Sequence, residues 1–275
     1  MERLEKTTQD LISLGLLLLT WILLVFFLTH IHAYEDKIQR HRLEIISSET
    51  ELNILNDQHA QCGQFLCFTG REFIEIYDRL ERTRGIQYTE YVITGDLDTD
   101  EYMRRFAEAR GYEKRTTVDT NRLIEFNGLQ VLPEVRDAYL LLRNRMSEDG
   151  IDLHLVSAYR SFENQRSLFM SMLGVTDFEG IKKGLYDTEL TTVLERSALP
   201  GYSKHHSGYA VDFGCGDKYL VFKFSETECY QWMSENNFER VKMQGFIPSY
   251  PEDVEYQGPR PEPWEYVWVG SEELR

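Results

Sequence analysis

An apolar run near the N-terminus restricts the possible folds of this chain more than any other feature. Residues 11–28 read LISLGLLLLTWILLVFFL, and a helix needs about 20 apolar residues to span the core of a bilayer. The run is apolar on all faces, whereas a surface helix of a soluble protein carries a polar face. We therefore predict a transmembrane anchor at residues 11–29, preceded by a cytoplasmic tail at residues 1–10.

A cleaved signal peptide is the alternative interpretation of the same run. Such a peptide has an apolar core of roughly 7–15 residues and ends in small residues at the cleavage site. Residues 29–33 read THIHA, which is a poor cleavage site, so the uncleaved anchor is favoured. The basic residues determine the orientation poorly, because their count slightly favours the wrong side for an exported domain. Those before the span are Arg3 and Lys6, and those after it are Lys37, Arg40 and Arg42.

Residues 30–118 are predicted to form a helical stalk or N-terminal extension. Ile38, Ile45 and Leu52 recur every seven residues, which is the spacing of a coiled-coil seam. The intermediate positions include the polar residues His41 and Ser48, so the seam is weak. We expect a membrane-proximal stalk that supports only weak dimerisation.

Charge and cysteine content limit the classes of function. The net charge is −16, and this acidity disfavours a nucleic-acid-binding protein, which normally presents a basic face. If the domain is exported, Cys62–Cys67 and Cys215–Cys229 could be disulfides. The four cysteines allow three pairings, and free buried thiols remain the alternative.

Residues 119–275 have the pattern of a compact domain. Apolar spacing predicts helices at residues 132–146, 161–173 and 225–236, with strands at residues 152–157 and 264–269. The elements do not follow a βαβ rhythm, so a parallel sheet is not expected. We predict an α+β fold in which helices flank an antiparallel sheet.

A histidine and an aspartate in the last third of the chain are candidate metal ligands. His205 and Asp212 lie seven residues apart, and Gly208 between them permits a close approach of the backbone. Zinc in a hydrolase typically has three protein ligands and one open position. The pair alone is a weak signal, because a structural hydrogen bond between histidine and aspartate would explain it equally well.

Other segments accompany this pair in a consistent order. They read SAYRS at residues 157–161 followed by Gln165 and Leu168-Phe169, SKHHSGYAVD at 203–212, Trp232, GFI at 245–247, YP at 250–251, EPW at 262–264 and VG at 269–270. Together they resemble the VanY-type D-alanyl-D-alanine carboxypeptidases, a zinc peptidase family. The resemblance covers about residues 122–270. It implies a DD-peptidase/hedgehog-like fold and a zinc-dependent carboxypeptidase activity.

The resemblance also implies roles for individual residues. His205 and Asp212 would bind the metal, and Glu262 would act as general base toward the attacking water and then pass the proton to the leaving amine. Arg160 would face the scissile carbonyl or the substrate carboxylate. The remaining motif residues would line the substrate site, namely Ser203, Gln165 and Tyr159.

Three positions depart from the family pattern, of which Ala158 in place of a glycine is a minor change. The third metal ligand, a histidine in the family, is Glu265 here, and the arginine before the Tyr-Pro pair is Ser249. Glu265 alternates with Val267 and Val269 on one face of the last strand, so it should be partly buried and should need a partner. That partner could be a bound cation, Arg160 or a histidine. The alternatives for the missing ligand are His206, His154 and Cys215.

Glu265 as a ligand would change the charge of the metal centre. One imidazole, two carboxylates and a divalent ion sum to zero, so the site should acidify water less than a site with two histidines. It should also accept manganese in place of zinc.

We therefore predict a membrane-anchored metallo-carboxypeptidase, with its domain outside the cytoplasmic membrane, that acts on peptidoglycan stem peptides. The alternatives are a catalytically impaired module that binds such peptides or a partner, and a cell-wall endopeptidase.

Overall fold

The structure, a computed structural model, describes residues 37–38, 41, 65–87, 91–219 and 222–275. The chain divides into two units, Met1–Asp57 and Gln58–Arg275. The few described residues of the first unit are helical. The predicted tail at residues 1–10 and anchor at 11–29 lie outside the described residues. In the described part of the chain, no helix has the length and apolar character needed to cross a membrane.

The second unit combines helices with short strands. The helices are α1 (Gly70–Arg84), α2 (Leu97–Glu108), α3 (Pro133–Glu148), α4 (Phe162–Leu173), α5 (Phe178–Lys182), α6 (Asp187–Leu194) and α7 (Glu228–Lys242). The strands are β1 (Ile124–Phe126), β2 (Leu129–Val131), β3 (Leu153–Ser157), β4 (Ala210–Cys215), β5 (Lys218–Tyr219), β6 (Phe246–Pro248) and β7 (Glu265–Trp268). A 3-10 turn at Lys204–Ser207 precedes β4.

The central sheet has the strand order β3-β4-β7-β6, and β5 pairs with β4. All of its pairings are antiparallel, and β1 and β2 form a separate antiparallel hairpin. This confirms the predicted α+β fold with an antiparallel sheet and flanking helices. Strands β4 and β7 lie in the middle of the sheet, so both faces of these strands are buried.

Local signals position several helices where the sequence predicts them. Pro133 occupies the first turn of α3, where its missing N–H costs nothing. The Ser161 hydroxyl caps α4 by accepting from the backbone N–H of Asn164 at 3.2 Å. Helix α7 begins later than predicted, because Thr227 rather than Ser225 caps it.

Helix α1 belongs to the same core as the sheet. Its residues Phe73, Tyr77 and Leu80 recur every three or four positions and are buried in one hydrophobic cluster with residues of β4 and β7. The Tyr77 hydroxyl also donates to Ser207 Oγ at 3.0 Å. The compact unit begins at Gln58, and the domain boundary after residue 118 stays a prediction.

A second hydrophobic cluster joins α2, α4 and α6. Phe169 of α4 and Leu194 of α6 are fully buried in it. A disulfide between Cys215 and Cys229 ties the end of β4 to the start of α7, which confirms one predicted pairing. In the other predicted pairing, Cys62 lies outside the described residues.

Candidate metal centre

Strands β4 and β7 place two carboxylates side by side. Asp212 and Glu265 are directly opposite each other in the β4–β7 register, and only 3% and 5% of them are exposed. Like charges in directly opposed positions destabilise a sheet. Burial increases this penalty, because an ion away from water needs a partner. The pair therefore requires a positive charge between the two side chains.

An imidazole points its free nitrogen at both carboxylates. His205 lies in the buried 3-10 turn before β4, and its Nδ1 is 2.6 Å from the carbonyl oxygen of Ala158. A carbonyl only accepts hydrogen bonds, so Nδ1 donates, and the neutral ring keeps a lone pair on Nε2. His205 Nε2 lies 3.4 Å from Asp212 Oδ2 and 3.4 Å from Glu265 Oε2.

The electrostatics of this triad indicate a cation site. Burial opposes a charged imidazole, yet the Asp212 carboxylate raises the pKa of His205 to about 9. Burial likewise opposes ionisation of Glu265, but its hydrogen bond to His205 and the charge of that ring lower its pKa to about 2. In the absence of a metal, a proton on the imidazole therefore balances the carboxylates.

The donor set fits a divalent metal ion. One ligand atom from each of His205, Asp212 and Glu265 lies within 4.8 Å of the others. Asp212 Oδ1 is buried and has no hydrogen-bond partner among the described residues, and such an orphaned acceptor is unusual in a protein interior. Imidazole nitrogen and carboxylate oxygen are ligands that zinc accepts, and a three-residue set leaves a position open.

Glu262 reaches the same pocket from a turn rather than from the strand. The backbone N–H of Glu265 donates to the Glu262 carbonyl at 3.0 Å, and Pro263 suits the second position of such a turn. This turn is the irregularity that brings both glutamates to one site. Burial and then the charge of Glu265 raise the pKa of Glu262 well above its usual value. A raised pKa suits a carboxylate that must accept a proton near neutral pH.

Arg160 is held firmly beside the triad. Its guanidinium donates to Gln165 Oε1 at 2.9 Å and to Ser157 Oγ at 3.2 Å. Its Nη2 lies 3.7 Å from Asp212 Oδ2. The Arg160 carbonyl also accepts from His206 Nδ1 at 2.7 Å. These contacts place a fixed positive charge at the edge of the candidate metal centre.

The three predicted substrate-binding residues have different surroundings. Ser203 is buried and lines a small cavity with His205 and Glu262. The side-chain amide of Gln165 is hydrogen-bonded to other residues of the protein. Its Nε2 donates to Ser197 Oγ at 3.0 Å and to the Ala198 carbonyl at 2.7 Å. Its role here is to orient Arg160. Tyr159 packs against the sheet core and does not line the cleft.

The alternatives for the third ligand have other partners. His206 uses both ring nitrogens, because Nε2 accepts from the Gly201 N–H at 3.0 Å and Nδ1 donates to Arg160. Burial lowers the pKa of His206 to about 3, so this ring stays neutral. His154 is exposed and contacts the Gly216 carbonyl, and Cys215 is in a disulfide. Glu265 is the residue that joins His205 and Asp212.

A cleft of about 480 Å³ opens above the triad. Arg196, Ser197 and Arg260 line it although they belong to none of the motif segments, so the sequence gives no signal for them. Arg260 pairs with Glu195 at 2.6 Å. Arg196 has no acidic side chain within 4.0 Å among the described residues. The cleft is also lined by Leu168, Met172, Phe222 and Trp264.

A family of known proteins matches the part of the chain that contains this site. A family model described as VanY, D-alanyl-D-alanine carboxypeptidase, matches residues 128–271. The chain is 28% identical over 144 residues to the putative carboxypeptidase YodJ of Bacillus subtilis (strain 168), covering 50% of this chain and 46% of that protein. It is 29% identical over 124 residues to the bifunctional D-Ala-D-Ala dipeptidase and D-Ala-D-Ala carboxypeptidase VanXYC of Enterococcus gallinarum, covering 43% and 57%.

The chain thus spans about half the length of the curated relatives that it matches. Among solved structures, it is similar to a mutant of the vancomycin resistance D,D-pentapeptidase VanY from a VanB-type cassette, in complex with Zn(II). The identity is 27%, the TM-score is 0.44, and the match covers 58% of this chain and 82% of that chain.

Proposed function

Because the chain belongs to the VanY family of D-alanyl-D-alanine carboxypeptidases, we propose that it hydrolyses the terminal D-alanyl bond of peptidoglycan stem peptides. The observation that carries the proposal is the convergence of His205 Nε2, Asp212 Oδ2 and Glu265 Oε2 in a buried pocket. Glu262 and Arg160 line the cleft above this pocket, which supplies a base and a cation beside the three ligands.

The residues His205, Asp212 and Glu265 would hold zinc or another divalent metal such as manganese. The ion would supply Lewis acidity and would activate water for attack on the peptide carbonyl. The oxygen-rich ligand set favours a harder metal more than two histidines and one aspartate would. Its lower net charge should shift the activity toward higher pH than in a two-histidine centre.

Glu262 would move the proton during hydrolysis. Its buried carboxylate lines the cleft, and its raised pKa suits it to accept a proton from water and to deliver it to the leaving amine. Arg160 would donate hydrogen bonds to the developing oxyanion or to the substrate carboxylate. The contacts of Arg160 with Gln165 and Ser157 hold the guanidinium ready for that role.

We also propose that the domain acts outside the cytoplasmic membrane. The apolar run at residues 11–29 would be a single-pass anchor, with residues 1–10 in the cytoplasm and weak dimerisation through the stalk. The disulfide between Cys215 and Cys229 supports an exported location, since disulfides persist in oxidising compartments. The substrate class supports the same placement.

The test is hydrolysis of a stem pentapeptide that ends in D-Ala-D-Ala. The full chain is incubated with the peptide, with added zinc or manganese and with a chelator. Metal-dependent release of one alanine that disappears in Glu262→Gln supports the proposal.

Binding without release would instead favour the impaired module, which Glu265 at the third ligand position makes a real alternative. Cleavage at an internal bond would favour the endopeptidase.

A further inference from the structure

The two larger departures from the family pattern, Ser249 and Glu265, are in direct contact. Ser249 Oγ donates to Glu265 Oε1 at 2.6 Å. Both residues are buried, so water does not compete for this bond. A short hydrogen bond from a hydroxyl to a carboxylate is among the stronger ones in proteins.

The two oxygens of the Glu265 carboxylate have different partners. Oε1 is engaged by the Ser249 hydroxyl, whereas Oε2 lies 3.4 Å from His205 Nε2, within the ligand cluster. Because the Ser249 hydroxyl restrains the rotation of the carboxylate, Oε2 is the oxygen that faces the other two ligands. Glu265 is therefore oriented for coordination through one oxygen.

Ser249 is itself held at both ends of its backbone. Its N–H donates to the Glu265 carbonyl at 3.0 Å, and its own carbonyl accepts from Lys204 Nζ at 2.5 Å. Lys204 is buried, and its ammonium group lies 3.9 Å from the centroid of the Tyr250 ring. One short segment therefore supplies both the ligand His205 and the lysine that anchors Ser249.

We propose that Ser249 is a positioning residue that fixes Glu265 as a one-oxygen ligand of a divalent cation, with Lys204 anchoring Ser249. This inference rests on the proposed metal centre, but it does not require the centre to be hydrolytically active. It implies a preference for zinc or manganese over calcium. Calcium takes 6–8 oxygen ligands and often uses both oxygens of a carboxylate.

The test measures metal affinity rather than activity. The dissociation constants for zinc and manganese are determined by competition with a chelating dye for the wild type, Ser249→Ala and Ser249→Thr. We expect Ser249→Ala to weaken binding about tenfold, which is the effect of losing about 1.4 kcal/mol. Ser249→Thr keeps the hydroxyl and should restore most of the affinity.

Two controls separate positioning from general stability. Thr99→Val removes another buried hydroxyl that donates to a carboxylate, at 2.7 Å from Asp96 Oδ1, away from the ligands, and it should leave the affinity unchanged. In a Glu265→His background there is no carboxylate to orient, so adding Ser249→Ala should change the affinity little. Such a double-mutant cycle isolates the interaction between the two side chains.

The outcomes distinguish this inference from the proposed function. Metal affinity that depends on Ser249 in a chain without hydrolytic activity would support the positioning role and contradict the carboxypeptidase. Hydrolysis with equal metal affinity in wild type and Ser249→Ala would overturn the positioning role alone. A wild type that binds neither cation would overturn it together with the metal centre.

Discussion

Two clusters of acidic side chains in this domain differ in the positive charge that lies beside them. In the first, Arg115 donates to Asp78 Oδ1 at 2.5 Å and to Glu81 Oε2 at 3.0 Å. The other oxygen of Glu81 accepts from the backbone N–H of Thr116 at 2.7 Å. Arg115 is the cation that neutralises both acids. Since Asp78 and Glu81 belong to α1, these bonds join α1 to Arg115 and Thr116.

In the second cluster, Asp212 and Glu265 face the imidazole of His205, and Asp212 Oδ1 has no hydrogen-bond partner among the residues described. The nearest arginine nitrogen is 3.7 Å from Asp212, which is longer than a hydrogen bond. Buried acids that are paired by an internal arginine hold the fold together. Buried acids that converge without such a partner indicate a site for an external cation. Mutations in the first cluster should therefore change stability, and mutations in the second should change metal binding or activity.

The largest effect is expected from Glu262→Gln. This change keeps the shape but removes the group that moves the proton, so kcat should fall about 10²–10⁴-fold. Metal affinity should stay within a few-fold of the wild type, because Glu262 is outside the triad. The measurements are steady-state hydrolysis of the pentapeptide and metal titration. Glu81→Gln in the structural cluster is the matched control and should leave kcat of the folded protein unchanged; an equal loss in both variants would contradict the comparison.

Arg115→Met should lower the stability of the fold without changing metal binding. It leaves Asp78 and Glu81 buried without their cation, and breaking a buried ion pair in this way costs about 3–5 kcal/mol. The free energy of unfolding, measured by urea denaturation followed by circular dichroism, should fall by that amount. The metal affinity of the folded protein should not change. Weakened metal binding with unchanged stability would show that the two clusters are not separate in function.

Lys242 extends the comparison to a buried charge that is held by neutral oxygens. Its Nζ donates to the Leu66 carbonyl at 2.7 Å and to Asn237 Oδ1 at 3.0 Å. Burial lowers the pKa of Lys242 to about 8, whereas an unfolded lysine titrates near 10.4. Between these values the unfolded chain binds more protons than the folded chain, so stability rises with pH.

The stability gain from Lys242 should be complete above pH of about 10.4 and should be lost as the pH falls through about 8. Relative to Lys242→Met, the wild type should gain about 3 kcal/mol across that interval. Urea denaturation of both proteins at several pH values measures the difference. A difference that does not vary with pH would contradict the burial of this charge.

The sequence predicts much of the candidate site because the site depends on short motifs. The motifs predict His205, Asp212, Glu262 and Glu265 as site residues, and the structure brings them to one pocket. The caps of α3 and α4 were predictable for the same reason, since a proline or serine acts within one helical turn. Local chemistry determines these features.

Other features depend on contacts that are distant in sequence. Helix α1 joins the core through residues such as Tyr77, whose partner Ser207 lies 130 positions away, so its pattern suggested only a stalk. Gln165 was predicted to bind substrate, yet its amide is taken up by Ser197 and Ala198. Ser249 was noted as a departure, and only the structure reveals its bond to Glu265. A sequence motif identifies candidate residues, but their hydrogen-bond partners are distant in sequence and are seen only in the folded structure.

We propose that the second cluster binds a divalent cation, and equilibrium dialysis of the full chain against zinc or manganese measures this binding. We predict about one bound ion per chain, as expected for a single site with three protein ligands. This ion should be lost in His205→Ala and in Asp212→Asn but retained in Glu81→Gln. A wild type without bound metal, or an ion that survives Asp212→Asn, would contradict the account.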